Sequence, residues 1–399
     1  MDDVHLRLPL LFAGPAGNHP QAYGGKPGDC LPLFAKAHPE EAAALQRAYV
    51  TAGAGAVLTP TWGANRTTLE KYGYTGDAAA LNRILTAAAR RTVGPDVLLG
   101  GAVSMTGQRP APFGETPFKQ IVSDYAAQAA GLKDGGADFI LCEGMTNMWE
   151  ARAAVLGCRT TGLPVFVTMS LHEDDESPED LPFLSFLVTV QSLGAAAVGL
   201  QGFADYEEAA GLLNQARRYA AVPLLARPAA DALEPAAFGE VCQGLYHAGA
   251  EILGADTPAH MAALSRAMGK TSPLPPASPE DVLVAADDRD AYFLNEDDII
   301  PSQPIPCGYD MGEDLIEMER QEGGMANALL VRVNSVADAL LLAEYAYMSA
   351  LPVMLQADDP DALWEALFLY QGRALVDSES EMDPAALRRI AAAFGAIVY

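Results

Sequence analysis

Glu143 stands in the apolar run FILCEG, and Asp256 comes directly after the run EILGA. His19 and His172 follow LPLLFAG and PVFVTMS. Carboxylates and imidazoles just past buried strands can bind an ammonium group, move a proton, or share a metal through N and O ligands. The ordinary alternative is a carboxylate bonded to nearby backbone and histidines solvated in loops. His260 lies in the helix opened by Thr257-Pro258 and reads as a first-turn residue rather than a ligand. HEDDESPED (172–180) could draw a cation such as Ca²⁺, but it lacks the glycine turn and ligand spacing of a calcium loop and reads as charged surface. Trp62 and Trp149 follow the second and fourth apolar runs, where they could wall a ligand pocket or pack under a loop. Cys30, Cys142, Cys158, Cys242 and Cys307 are scattered, without a CxxC or His-Cys cluster. Reduced, buried thiols are expected, not a disulfide framework or zinc knuckle.

These residues are placed by a repeating pattern. Eight short apolar runs occur at 8–14, 55–61, 97–104, 139–144, 164–170, 196–202, 223–228 and 251–255. Helical patterns separate them, such as PEEAAALQRAYVTAG (39–53) and DYEEAAGLLNQARRYA (205–220). Several helices close on Gly-Ala phrases just before the next strand (TAGAGA, DGGADF, HAGAEI), as short αβ loops require. Eight βα units predict a closed (β/α)₈ barrel over residues 1–268; an open doubly wound sheet is the alternative. In such a barrel, reactive groups gather at the C-terminal strand ends.

The Pro/Ser-rich stretch GKTSPLPPASPEDVL (269–283) predicts a linker. Residues 284–399 then repeat the pattern but stop early. AYFL (291–294) and DDII (297–300) predict a hairpin; ALLVRVN, LPVMLQA, RALVDSE and AIVY alternate with helices at 335–348, 360–370 and 383–394. The fold class expected is therefore α/β, a TIM barrel followed by a half-barrel. Open strand edges in that half-barrel should be covered, either by the first barrel or by a second copy in a homodimer.

The chain has 399 residues and a formal net charge of −27. Nucleic acid is an unsuited partner, because a phosphate backbone is repelled by such a surface. No apolar stretch has the length of a membrane span or signal peptide, so a cytoplasmic protein is expected.

AYVTAGAGAVLTPTWGANRTTLEKYG (48–73), GGAVSMTGQRPAPFG (100–114) and ADFILCEGMTNMWEARAAV (137–155) resemble the homocysteine S-methyltransferase family, including the homocysteine module of cobalamin-dependent methionine synthase. LPVMLQADDPDALWEALFLYQGRALVDSES (351–380) resembles the start of the pterin-binding barrel that follows in methionine synthases. The resemblance implies a substrate site built from Glu143, Thr59, Asn18, Trp62 and Ser104, with Glu143 taking an ammonium group. It also implies a pterin-like site at Asn334, Gln356 and Asp377. Folate or corrinoid methyl donors and a corrinoid protein partner are then conceivable alongside a small-molecule ligand.

The chain departs from the pattern where the family ionises its thiol substrate. There, zinc held by three cysteines binds the sulfur as thiolate. The phrase after the sixth strand reads GLQG, with Gly202 at the cysteine position. The phrase after the eighth reads ILGADTPAH: Gly254 and Ala255 stand where two cysteines would be, and about three residues are missing. The opening acidic residue is replaced by Ala13, and Thr59 is followed by Pro60. In the pterin-like segment Gln356 and Asp377 stand where the family has Asp and Asn, which exchanges donors for acceptors. No zinc and no other resident metal is expected. Two functions follow: a zinc-independent enzyme acting on a small amine-bearing or methylated substrate, or a non-catalytic ligand-binding or assembly module of methyl-transfer chemistry.

Overall fold

The computed structural model describes residues 7–171, 181–230, 233–275, 280–322 and 324–399. His172 and the acidic run 172–180 lie outside the described residues. Eight parallel strands close a barrel in sequence order: β1 Leu10–Ala13, β2 Ala56–Leu58, β3 Leu98–Val103, β4 Phe139–Met145, β5 Val165–Ser170, β6 Ala197–Gln201, β7 Leu224–Arg227 and β8 Ala250–Ala255. β1 pairs with both β2 and β8, with Phe12 opposite Ala56 on one side and Gly254 on the other. Each apolar run of the sequence became one strand, so the open-sheet alternative falls.

The barrel interior is filled by large side chains set against missing ones. Leu10, Phe12, Leu58, Phe139, Phe166 and Ile252 belong to one buried cluster, in which the Phe139 and Phe166 rings stack 4.6 Å apart. A Cβ at Gly100 would lie 2.5 Å from the Phe139 ring, and one at Gly254 would lie 2.4 Å from the Phe12 ring. Close packing of this kind leaves those glycines no larger substitute. Helices over the mouth start on side-chain caps: Asn147 accepts from Glu150 N, Asp205 from Glu207 N and Glu208 N, and Thr257 from His260 N.

Beyond the barrel, β9 Leu283–Ala286 and β10 Ala291–Leu294 form an antiparallel hairpin. The expected hairpin partner DDII is thus corrected: β10 pairs backward with β9, which starts at the last residue of the expected linker, and Glu296–Asp298 form a 3₁₀ turn. A five-stranded parallel sheet follows in sequence order: β11 Ile305–Pro306, β12 Leu329–Arg332, β13 Val353–Gln356, β14 Leu375–Val376 and β15 Ile397–Val398.

This half-barrel packs on the first barrel, and one helix shows how. Met148–Cys158 (MWEARAAVLGC) has every residue buried. A helix buried along its whole length must be covered on all sides; helix Phe118–Asp134 and strands β4 and β5 supply most of the cover, and the second module adds to it. Arg152 of this helix donates from Nη1 to Phe368 O (3.1 Å) and from Nη2 to Leu367 O (2.8 Å), at the C-terminal end of helix Pro360–Leu369. Arg159 donates to Ala393 O (2.8 Å) near the end of helix Pro384–Phe394. Both guanidinium groups sit at the negative ends of helix dipoles and satisfy carbonyls that the helices cannot. Phe118 meets Phe368 edge-on at 5.1 Å, and one buried apolar cluster runs through both modules.

Candidate functional site at the barrel mouth

Arg227, the last residue of β7, organises the mouth. Its Nε donates to Asp256 Oδ1 (2.8 Å), Nη1 donates to Glu143 Oε2 (2.9 Å), and Nη2 donates to Gly14 O. Nη2 also lies 2.8 Å from Asp256 Oδ1. The side chains of Arg227 and Glu143 are 1% and 0% exposed, so this is a buried ion pair rather than a surface one. The Phe12 ring lies 5.5 Å from the guanidinium carbon. Three strand ends and the loop after β1 therefore converge on one cation.

The charges do not cancel. With both carboxylates ionised the cluster has two negative charges and one positive. Burial, opposed by Arg227 and reinforced by Asp256, pushes the Glu143 carboxyl up to about 7. Burial opposes the charge on Arg227, but Asp256 and Glu143 outweigh it and hold that pKa above its ordinary value. Glu143 Oε2 is taken by Arg227, whereas Oε1 is buried with no hydrogen-bond partner. Tyr23, buried nearby, has its phenol pKa raised by burial and by the Glu143 charge. The Gly17 backbone N–H also favours the ionised carboxylate, without reaching hydrogen-bond geometry at Oε1, so the mouth offers a buried, incompletely satisfied acceptor that titrates near neutrality.

The other expected contact residues spend their polar atoms on the scaffold. Thr59 Oγ1 accepts from Ala102 N and sits 2.6 Å from Thr61 Oγ1. Ser104 Oγ donates to Met105 O and accepts from Asn65 Nδ2. Asn18 closes its own loop, donating to Asp29 O and accepting from Leu31 N. Trp62 packs beside the barrel-interior cluster. Trp149 lies away from this ion pair: its Nε1 donates to Gln108 O, and its ring stacks on Phe113. His19 is exposed, and His260 bonds to Thr257 and Leu233 O within its own surroundings. The suggested N/O metal site of His19, Glu143 and Asp256 is not assembled: both carboxylates face Arg227, and among the described residues no group of three His, Cys, Asp or Glu is placed to hold a metal.

The three positions where the resemblance puts thiolates do not suit a metal. Gly202 has a left-handed backbone (φ 74°), which strains any L side chain. Gly254 has the Phe12 ring where its Cβ would be, and Ala255 has no donor atom. Arg227 lies on the strand between them; its carbonyl accepts from Gly202 N (2.9 Å). Gly254→Cys is expected to lower stability by about 1–3 kcal/mol, because Phe12 must leave its packed position; urea unfolding checks this.

In the second module, Gln356 Oε1 accepts from Arg332 Nε (2.8 Å) and its Nε2 donates to Asp377 Oδ2 (2.8 Å). These groups form a chain across the C-terminal ends of β12, β13 and β14. Asn334 is exposed, with its backbone N–H bonded to Asp338. Arg332 and, above all, Arg227 were absent from the sequence expectations. The signal for Arg227 was visible as a lone charge inside the apolar run PLLARP.

Sequence comparison agrees with the geometry of the barrel. Methionine synthase of Mycobacterium leprae is 25% identical over 406 aligned residues, covering 89% of this chain and 33% of that protein. Methionine synthase of Mycobacterium tuberculosis is 29% identical over 210 residues, 50% of this chain and 18% of that one. Betaine–homocysteine S-methyltransferase 1 of Rattus norvegicus is 29% identical over 184 residues, 44% of this chain and 43% of its own. The chain therefore spans a third or less of these methionine synthases. The metallated form of the homocysteine methyltransferase MmuM from Escherichia coli shares the fold, with a TM-score of 0.54 at 21% identity over 64% of this chain and 95% of that one. The homocysteine S-methyltransferase family profile matches residues 18–268. With more than half of its length matched and the eight-stranded barrel in place, the chain belongs to the homocysteine S-methyltransferase family.

Proposed function

We propose that this protein is a zinc-independent member of its family whose barrel mouth binds a small amine-bearing or methylated molecule against Glu143. One observation carries the reading: the buried guanidinium of Arg227, held by Glu143 and Asp256, lies between strand ends whose Gly202, Gly254 and Ala255 supply no metal ligand. A mouth of this kind cannot ionise a thiol by metal coordination, so it must grip its ligand by hydrogen bonds and charge. The cluster's surplus negative charge and the unpartnered Glu143 Oε1 favour a ligand with one positive charge and an N–H donor. A carboxyl that titrates near 7 is also suited to accept or return a proton at the reacting centre. Methyl transfer to or from such a ligand is the chemistry that family membership favours.

The test is calorimetric titration of the metal-free protein with methylamine, dimethylamine and homocysteine. An amine is expected to bind, and Glu143→Gln should weaken it roughly tenfold or more, the worth of a lost charge-assisted hydrogen bond. Binding of the ammonium form should strengthen as pH rises through about 7, because only ionised Glu143 attracts it. Undiminished binding in Glu143→Gln, or affinity that falls over that pH range, contradicts the reading.

A second reading is a non-catalytic ligand-binding or assembly module of a folate or corrinoid methyl-transfer system. It is favoured by the full burial of the Glu143 side chain and by the internal bonding of Thr59, Ser104 and Asn18. Amine binding without turnover by any methyl donor would select it.

A further inference from the structure

The barrel mouth holds a donor that the ion pair does not use. Ala197 of β6 and Leu225 of β7 belong to the cluster inside the barrel, and side chains alternate along a strand. Gln201, the last residue of β6, therefore faces inward, and it stands opposite Arg227 in the register of the two strands. Gln201 is only 8% exposed, yet its Nε2 has no hydrogen-bond partner among the described residues. Buried amide donors nearly always have one. Nor is this atom fully enclosed, so a molecule in the mouth can reach it.

Thr168 decides which way the amide points. Its Oγ1 accepts from Gly144 N (3.0 Å) and lies 2.6 Å from Gln201 Oε1, against 3.4 Å from Cys142 O. A hydroxyl has one proton, and the shorter contact takes it. The Gln201 atom facing Thr168 must then be the oxygen, which leaves the NH₂ group unspent. Gly144, the residue after Glu143, makes room for that group: a Cβ there would lie 2.9 Å from Gln201 Nε2. An under-satisfied acceptor at Glu143 and an unpartnered donor at Gln201 thus share one end of the barrel.

A ligand that answers both needs an N–H donor and an oxygen acceptor. The acceptor should carry no charge. A carboxylate would approach ionised Glu143, whose charge is already disfavoured by burial and by Asp256, while Arg227 is engaged by both carboxylates and by Gly14 O. We propose that Gln201 determines specificity at the mouth, where its Nε2 receives a neutral oxygen (ether, hydroxyl or amide carbonyl) of a ligand whose ammonium group lies against Glu143. The inference rests on the reading that an amine binds Glu143, and adds what stands at the other end of that amine.

The probes are 2-methoxyethylamine and n-butylamine, which differ by an oxygen in place of one methylene; an ether oxygen accepts and cannot donate. A third probe, 3-aminopropanoate, offers a carboxylate instead. Each is titrated calorimetrically into the full chain at a pH above 7, where Glu143 is ionised. The ether amine is expected to bind about three- to tenfold more tightly than butylamine, the worth of one hydrogen bond, and at least tenfold more tightly than 3-aminopropanoate. Gln201→Met, of similar volume, should bring the two amines within about twofold of each other. Gln201→Glu, which keeps the acceptor for Thr168 but lacks the donor, should do the same. A purely structural role for Gln201 would weaken both amines and preserve their ratio, which overturns the proposal. Equal binding of the two amines to the unaltered protein, an ether advantage that survives both substitutions, or tighter binding of 3-aminopropanoate also overturns it, and each leaves the amine reading standing. An ether advantage that depends on Gln201 while Glu143→Gln changes neither affinity supports the donor and sinks the amine reading. No saturable binding of either amine overturns both.

Discussion

Arg227→Met is expected to destabilise the protein by about 3–5 kcal/mol at a pH above 7, the usual consequence of stripping one partner from a buried ion pair. Methionine fills most of the volume, so the loss is electrostatic. Glu143 would be left buried and the half-buried Asp256 would lose its cation, and Gly14 O would lose its donor. The pH dependence separates this cause from a packing defect. In the intact protein the Glu143 carboxyl is pushed from 4.5 to about 7. The folded state therefore binds that proton more tightly than the unfolded chain does. The associated stability is fully present below about 4.5 and is lost as pH rises through 7, a span of about 3 kcal/mol. Arg227 is the main influence opposing that rise. Removing it should extend the fall in stability to higher pH at the same limiting slope of about 1.4 kcal/mol per pH unit, whereas Glu143→Gln should flatten it. Urea unfolding at several pH values reads all three; a pH-independent loss in Arg227→Met would mean that the charges are not coupled as described.

Arg152→Met should undo the junction between the modules. Arg152 is fully buried and its two hydrogen bonds go to backbone carbonyls of Leu367 and Phe368. Burial with no carboxylate beside it, and with Arg159 adding like charge, lowers its pKa to about 9. Replacing a buried cation returns some desolvation energy. Against that stand two carbonyls at the end of helix Pro360–Leu369 left without donors, at about 1–3 kcal/mol each. The carbonyls win, and a net loss of about 2–4 kcal/mol is expected, larger for Arg152→Ala because a cavity adds to it. The loss should be local. Hydrogen exchange should rise in helices Pro360–Leu369 and Pro384–Phe394 while the barrel strands stay protected. Uniform loss of protection through the barrel would show that Arg152 supports the first barrel and not the docking.

The barrel was legible because its cause is local: eight apolar runs of strand length, each followed by a helical period and a Gly-rich stop. The half-barrel was legible for the same reason except at its weak elements. β11 is two residues long and includes Pro306, and β10 pairs with β9, which grows out of a Pro/Ser-rich stretch. Neither leaves a periodic signal. Helix Met311–Glu322 was not among the expected elements either, although Met311, Leu315 and Met318 give it a helical apolar spacing among good helix formers. At the mouth, Glu143 and Asp256 could be named because they end strands. Their convergence on Arg227 could not, since the three residues are 84 and 29 positions apart and meet only when the barrel closes. The expectation that Glu143 awaits an ammonium ion now has to include the guanidinium already bound to its other oxygen.

Metal content of the purified protein tests the central claim most directly. After dialysis against excess zinc and then zinc-free buffer, mass spectrometry of the eluted protein should find far less than one zinc per chain, and Glu143→Gln should change nothing. One tightly held zinc per chain, lost on substitution of Glu143 or Asp256, would mean that Arg227 gives way to a metal, and the charge-cluster account of the mouth would be wrong.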